Sequence, residues 1–240
     1  MAQKKIGWLL ITGAIGVLIP YTILTITFEY PDILRQDTGI VLTRFHEGGS
    51  SLIVTWWAFA ILGLPLLIAY IKIGQLFENK IGFIKWVTTL GVISGIVQII
   101  GLLRCVFVVP VISSNHIGAS DSATKEIAIS SFQTIHQFAG VLLGEHLGQL
   151  FTIAWTIMIS IAFIKLKLFP KWVSWLGIVS SLIYFFAQAE LFATVIPGFP
   201  VWEMAGLVGS TLWLLWLLIT GIMFTRLRTY ERKIATILPA

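Results

Sequence analysis

Apolar residues run through this chain in long blocks, with the polar residues gathered between the blocks rather than alternating within them. The period of two of a half-buried strand is absent, and the blocks are wider than the stripe of a water-facing helix. A helix needs about 20 apolar residues to cross a hydrocarbon core of ~30 Å. Six blocks meet that length, at about 6–28, 51–71, 82–112, 142–164, 172–196 and 201–225. The pattern predicts an all-α fold: a polytopic six-transmembrane-helix bundle forming a single integral membrane domain over 1–240. The first block reads as a span rather than a signal peptide, because it is too long and no small-x-small cleavage site follows it.

The connections are unequal. Leu166–Lys171 is short, so the fourth and fifth spans are expected to be antiparallel neighbours. Glu29–Ser50 is the longest connection and mixes Ile33, Leu34, Ile40, Val41, Leu42 and Phe45 with charges. It reads as one or two short interfacial helices broken at Gly39. Ser113–Lys125 begins polar and turns helical at Asp121 or Ser122, either of which suits an N-cap. A helix running unbroken from there to Ile164 would exceed ~60 Å. It must protrude or break, and Gly140 or Gly144 is the expected place. Pro20, Pro65 and Pro110 should each kink a helix, since each removes a backbone donor.

Composition and charge then narrow the class. The chain is 57% apolar and only 11% charged, with a mean hydropathy of +0.93. Soluble domains are roughly a quarter charged, so neither a water-soluble enzyme nor a nucleic-acid partner is expected. The net charge of +5 is distributed by side. Lys4, Lys5, Lys72, Lys80, Lys85, Lys165, Lys167, Lys171, Arg226, Arg228, Arg232 and Lys233 flank one set of span ends, with only Glu78 and Glu231. Arg35, Arg44, Arg104 and Lys125 fall on the other side with the remaining nine acids. Basic residues favour the cytoplasm, so both termini are expected inside (N-in/C-in) and the acidic side outside. Trp8, Trp86, Trp172 and Trp175 fall at inner span ends and Trp202 at an outer one, where aromatic belts belong. Cys105 is alone, so an intrachain disulfide is impossible.

Depth can be counted from the inner basic residues. Arg104 lies 19 residues beyond Lys85, His146 19 before Lys165, and Glu190 19 beyond Lys171. Glu145 adjoins His146, and Glu203 lies slightly further out. Nineteen residues rise ~28 Å, so three helices place ionisable groups at one outer level. Gln149 lies one turn below Glu145, and Gln98 lies below Arg104. Buried ions should face one another, which suggests Arg104 paired with Glu145 or Glu190. His136 lies ten residues outward of His146 and joins this layer only if the fourth span breaks or re-enters. Arg104, Glu145, His146, Gln149, Glu190 and Glu203 are therefore the candidate ligand-binding residues, and the alternative is that they reach water at the headgroup boundary.

No catalytic signature accompanies them. His46-Glu47 lacks the second histidine of a zinc-protease helix. His136 and His146 are poorly placed to chelate one metal together, and haem would need a histidine from another helix. No metal and no cofactor is expected. Gly140, Gly144 and Gly148 form a small-xxx-small stripe, as do Gly91 and Gly95. Such stripes let helix backbones approach, within the chain or, alternatively, between copies of it as a homo-oligomer.

The segments FEYPDILR at Phe28–Arg35, TWWAFAILGLPLLIA in the second span, LFPKWVSWLG at Leu168–Gly177 and LWLLWLLITGIMF at Leu212–Phe224 resemble the bacterial membrane family called domain of unknown function 4386. The resemblance implies a multi-pass protein of the bacterial cytoplasmic (inner) membrane. It implies no activity and no site residues. Three functions stay open: a module that binds or transports a lipid or small molecule at the outer polar layer, a membrane enzyme using Glu145 or Glu190 as general acid beside Trp56, Trp57, Phe186 and Phe192, and a structural or regulatory subunit of the bilayer.

Overall fold

The computed structural model describes residues 2–237, with side chains to Leu227. The side chains of Arg228, Glu231, Arg232 and Lys233, counted above on the inner side, lie outside the described residues. Among the described residues every regular element is a helix. The helices are α1 (Ala2–Phe28), α2 (Thr38–Ile61), α3 (Leu64–Phe77), α4 (Ile84–Phe107) and α5 (Val109–Gly118). They continue with α6 (Ser122–Ile135), α7 (Gly148–Lys165), α8 (Lys171–Phe186), α9 (Gln188–Ala193) and α10 (Met204–Ile237). A 3-10 turn covers Asp32–Arg35, and a π-helical segment, His136–Leu147, joins α6 to α7. Together they make six helical runs long and apolar enough to cross a membrane.

The longer runs are broken where the backbone demands it. Gly49, inside α2, has φ 53° and ψ −147°, a conformation closed to side-chain-bearing residues. The expected break at Gly39 is not there. Gly39 sits in the first turn of α2, and its N–H donates to the capping Asp37 carboxylate at 2.9 Å. Pro65 and Pro110 do not kink a helix interior. Each is the second residue of a new helix, α3 or α5, where the missing N–H has no intrahelical partner to lose. Pro20 alone lies within a helix, α1.

Asp121 is the N-cap of α6. Its carboxylate accepts from the Thr124 N–H and from the Thr124 hydroxyl, both at 2.8 Å. These donors, the backbone one foremost, hold its carboxyl below the ordinary aspartate range. The stabilisation is therefore complete above the unfolded value of about 3.9 and is lost as pH falls through the lower folded value. Amide protection in the first turn of α6 should fall on such acidification. Asp121→Asn, which caps without titrating, should remove that acid dependence; a persistent dependence would assign it to another group.

The chain forms two compact units. The first comprises residues 1–15, 65–93 and 150–240. Its interior is aromatic: Tyr70 lies 4.0 Å from Trp155, and Trp155 lies 5.9 Å from Trp216. Phe163 meets Phe169 and Phe224 at 5.1 and 5.9 Å. α8 packs along α10. Lipid tails are as apolar as these side chains, so close packing rather than escape from water holds such helices together.

The second unit comprises residues 16–64 and 94–149. Leu24, Phe28, Ile33, Leu42, Phe45, Trp56, Cys105 and Phe132 form its core. α2 packs on α5, and α5 on α6. The Ser113 hydroxyl ties α5 to α2 by donating to the Leu42 carbonyl at 2.8 Å. Trp56 is a core residue here, 5.0 Å from Tyr30 and 6.3 Å from Phe28. Trp57, Phe186 and Phe192 are exposed. So are Trp8, Trp86, Trp172, Trp175 and Trp202.

Candidate functional site

The second unit concentrates its chemistry on one face of α4. Ser94, Gln98, Gly101 and Arg104 recur there every three or four residues, the spacing of a single helical face. They meet the glycine stripe of the facing segment. A Cβ on Gly140 would strike the Arg104 guanidinium, one on Gly148 would strike Gln98, and one on Gly101 would strike Gly144. A stripe of every fourth residue on one side thus meets a stripe of roughly every third on the other, one of the standard ridge-into-groove fits. The stripe packs within the chain. Ser94 reinforces it by donating to the Gly148 carbonyl at 3.0 Å, while Gln98 donates to the Ser94 hydroxyl at 2.8 Å.

The helix rewinds at this contact. The π segment contains Gly140 and Gly144 within twelve residues, and glycine is a weak α-helix former. π turns widen the ladder and are frequent at functional sites. The expected break near Gly140 or Gly144 takes this form: the run changes its winding without ending.

Arg104 is 7% exposed. One guanidinium nitrogen, Nη1, donates to the Gly101 carbonyl of its own helix. Nη2 donates to His136 Nδ1 at 3.1 Å. A guanidinium can only donate, so Nδ1 is the acceptor and the neutral imidazole carries its proton on Nε2. Phe132, one turn earlier, stacks on the His136 ring at 5.4 Å with an interplanar angle of 6°. Arg104 Nε is buried without a hydrogen-bond partner. Every direct contact of this cation is therefore with a neutral group.

The expected Arg104–Glu145 pair is not formed. Glu145 accepts instead from Arg35 Nη2 at 3.0 Å. Arg35 lies in the 3-10 turn of the long connection, whose placement a count along the spans cannot supply. A second bridge, Arg44 to Glu29 at 2.7 Å, lies in the same connection. Tyr30 interacts electrostatically with both Glu145 and Arg104. Burial pushes its phenol well above the ordinary tyrosine range; Glu145 raises it further and Arg104 lowers it. Its hydroxyl is thus within electrostatic reach of both ions.

His136 is the residue that the depth count set apart, and it touches Arg104 because the run changes winding at that residue. His146 and Gln149 are half-buried at the other end of the π segment and the start of α7. Glu190 and Glu203 belong to the first unit. There, Glu190 reaches over Gly206 of α10, and Glu203 is exposed just ahead of that helix. Among the described residues, no three His, Cys, Asp or Glu side chains are grouped to hold a metal. Of the residues that matter here, the depth count does not reach Arg35 or Tyr30, which lie in the long connection; His136 joins Arg104 where the run carrying Gly140 and Gly144 changes winding.

Gly140 gives a direct check. A Cβ there would lie 2.5 Å from Arg104 Nη2 and 2.6 Å from Cζ, so Gly140→Ala must lift the guanidinium without altering either polar side chain. The nitrogen-15 shift of His136 Nδ1 should move in this variant. An unmoved shift would show that Arg104 is not seated on the glycine.

No curated protein and no solved structure matches the chain. The family model described as Domain of unknown function (DUF4386) matches residues 6–221. That match covers most of the sequence and runs through both units, and the chain belongs to this family.

Proposed function

We propose that this multi-pass membrane protein is a binding module for an oxyanion, phosphate or carboxylate, presented by a lipid headgroup or a small acidic solute. The observation that carries the reading is Arg104: a cation 7% exposed whose direct partners are a neutral imidazole and a carbonyl, with Nε unpartnered. Burying a charge without a counter-charge is costly even in a membrane helix, and an anion would offset that cost. Glu145 does not supply it by contact, since its oxygen takes Arg35. That pair is partly exposed, at 36% and 21%, which suits the mouth of the site. The enzyme alternative has less support, because Glu145, one of the two carboxylates it could use, is engaged in this ion pair.

The basic inner rim supports a bacterial cytoplasmic membrane location, both ends inside, with the Arg104 site toward the outer leaflet. Native mass spectrometry of gently extracted protein tests the reading. Wild type should release a bound anionic phospholipid or a small acidic mass, and the apolar variant Arg104→Met should not. The adduct mass distinguishes the two sources. An adduct of equal abundance on both proteins would place the ligand elsewhere.

A further inference from the structure

A second polar feature lies in the same unit, away from the contacts of Arg104. A cavity of about 240 Å³ opens between the end of α1 and α2, lined by Thr27, Phe28, Arg44, Glu47, Ser51 and Thr55 among others. Its depth is that of a headgroup. Phe28 ends an unbroken helix 23 residues beyond Lys5, and 23 residues rise ~35 Å, past a ~30 Å core.

The lining is unusual in what it asks for. The Thr27 hydroxyl donates to the Ile23 carbonyl at 2.8 Å, and the Thr55 hydroxyl to the Ser51 carbonyl at 2.9 Å. With their protons committed, both hydroxyls offer the cavity only acceptor lone pairs. Glu47 is a third acceptor, and it makes no hydrogen bond or ion pair among the described residues. Arg44 is the one cation on the lining, and Glu29 already takes one of its nitrogens. With Arg44 bridged to Glu29, Glu47 is left as an uncompensated negative charge beside the surplus acceptors and the one forked cation.

We propose that this cavity seats the headgroup of a membrane phospholipid carrying both a phosphate and a primary ammonium, with the phosphate on Arg44 and the ammonium on Glu47. The forked guanidinium retains free donors for phosphate oxygens. An ammonium brings three N–H donors to Glu47, Thr27 and Thr55. A quaternary ammonium has none, and its usual recognition is an aromatic cage. Here the only aromatic on the lining is Phe28, which is buried.

The test uses the purified full chain, delipidated in detergent. It is titrated with phosphatidylethanolamine and phosphatidylcholine of matched acyl chains, and binding is read by native mass spectrometry. Wild type should prefer ethanolamine about tenfold, the scale of one charge-assisted hydrogen bond. Glu47→Gln should bring that ratio near one. Thr55→Val, which removes one uncharged acceptor and leaves Glu47 in place, should lower it by a smaller factor, about threefold. Arg44→Gln should weaken both lipids alike, and Arg104→Met should leave the preference intact, which separates this site from the oxyanion site. Equal binding of the two lipids by wild type, or an undiminished preference in Glu47→Gln, would overturn the assignment. So would a phosphate-free long-chain amine that competes as well as the phospholipid.

Discussion

Gly101→Ala should destabilise the second unit severely, whereas Gly144→Ala, on the other side of the same contact, should be mild. A Cβ on Gly101 would lie 2.7 Å from the Gly144 Cα and 2.9 Å from the Ala139 carbonyl oxygen. Both atoms are backbone, so relief requires moving α4 or the π segment as a body. A Cβ on Gly144 would lie 3.3 Å from the Gly101 Cα and 3.4 Å from the Ala139 oxygen, a crowding that shifts of a few tenths of an ångström relieve. Overpacking a close contact costs about 1–3 kcal/mol. Gly101→Ala belongs at or above the top of that range and Gly144→Ala near the bottom. Separation of the helices would also disturb Ser94 and Gln98, which both donate across the contact to the Gly148 carbonyl. Melting of the two variants in one detergent compares them directly. Equal losses would mean that the two backbones are not in the register described here.

Arg104→Met should weaken retention of an acidic ligand about tenfold to a hundredfold while leaving ligand-free melting unchanged or raised. The two halves of this expectation have different causes. The methionine keeps most of the stem's packing but removes the donors to His136 and to any bound oxyanion. A charge-assisted hydrogen bond to such an anion is worth about 1.5–3 kcal/mol, so binding should fall about tenfold to a hundredfold. The ligand-free protein loses a buried cation whose direct contacts are neutral, and replacing buried ions by apolar groups of similar volume is often neutral or stabilising. Arg104→Lys should recover only part of the binding, because a lysine holds charge without the planar fork. A ligand-free Arg104→Met protein that melts far below wild type would identify Arg104 as a structural strut.

The six spans were legible because hydropathy over about 20 residues depends on composition alone. The N-cap was legible as Asp121 or Ser122 because a local side-chain bond decides it, and Asp121 makes that bond. The breaks were less so. Gly39 and Gly49 look equivalent in sequence, and only the backbone shows that Gly49 takes the positive φ while Gly39 lies in a first turn. Pro65 and Pro110 were recognised as disruptions, but the sequence did not say that each opens a new helix. The site was half legible. Arg104 and Glu145 stand out as ions in apolar surroundings, yet counting depth treats a span as a straight α-helix. The run holding Glu145 changes winding at His136, and its partner Arg35 comes from a connection that no count from the inner anchors reaches. His136 was set apart by the α-helical register and rejoined by the π segment.

The seating of an oxyanion at Arg104 is tested most directly by titrating the protein in phosphatidylcholine nanodiscs with phosphatidylglycerol and, separately, with inorganic phosphate, on wild type and Arg104→Met side by side. Saturable binding of at least one of the two by wild type, reduced about tenfold or more in Arg104→Met and untouched by Glu47→Gln, is the expected result. Binding of the same strength in wild type and Arg104→Met, or no saturable binding of either anion by wild type, would contradict it.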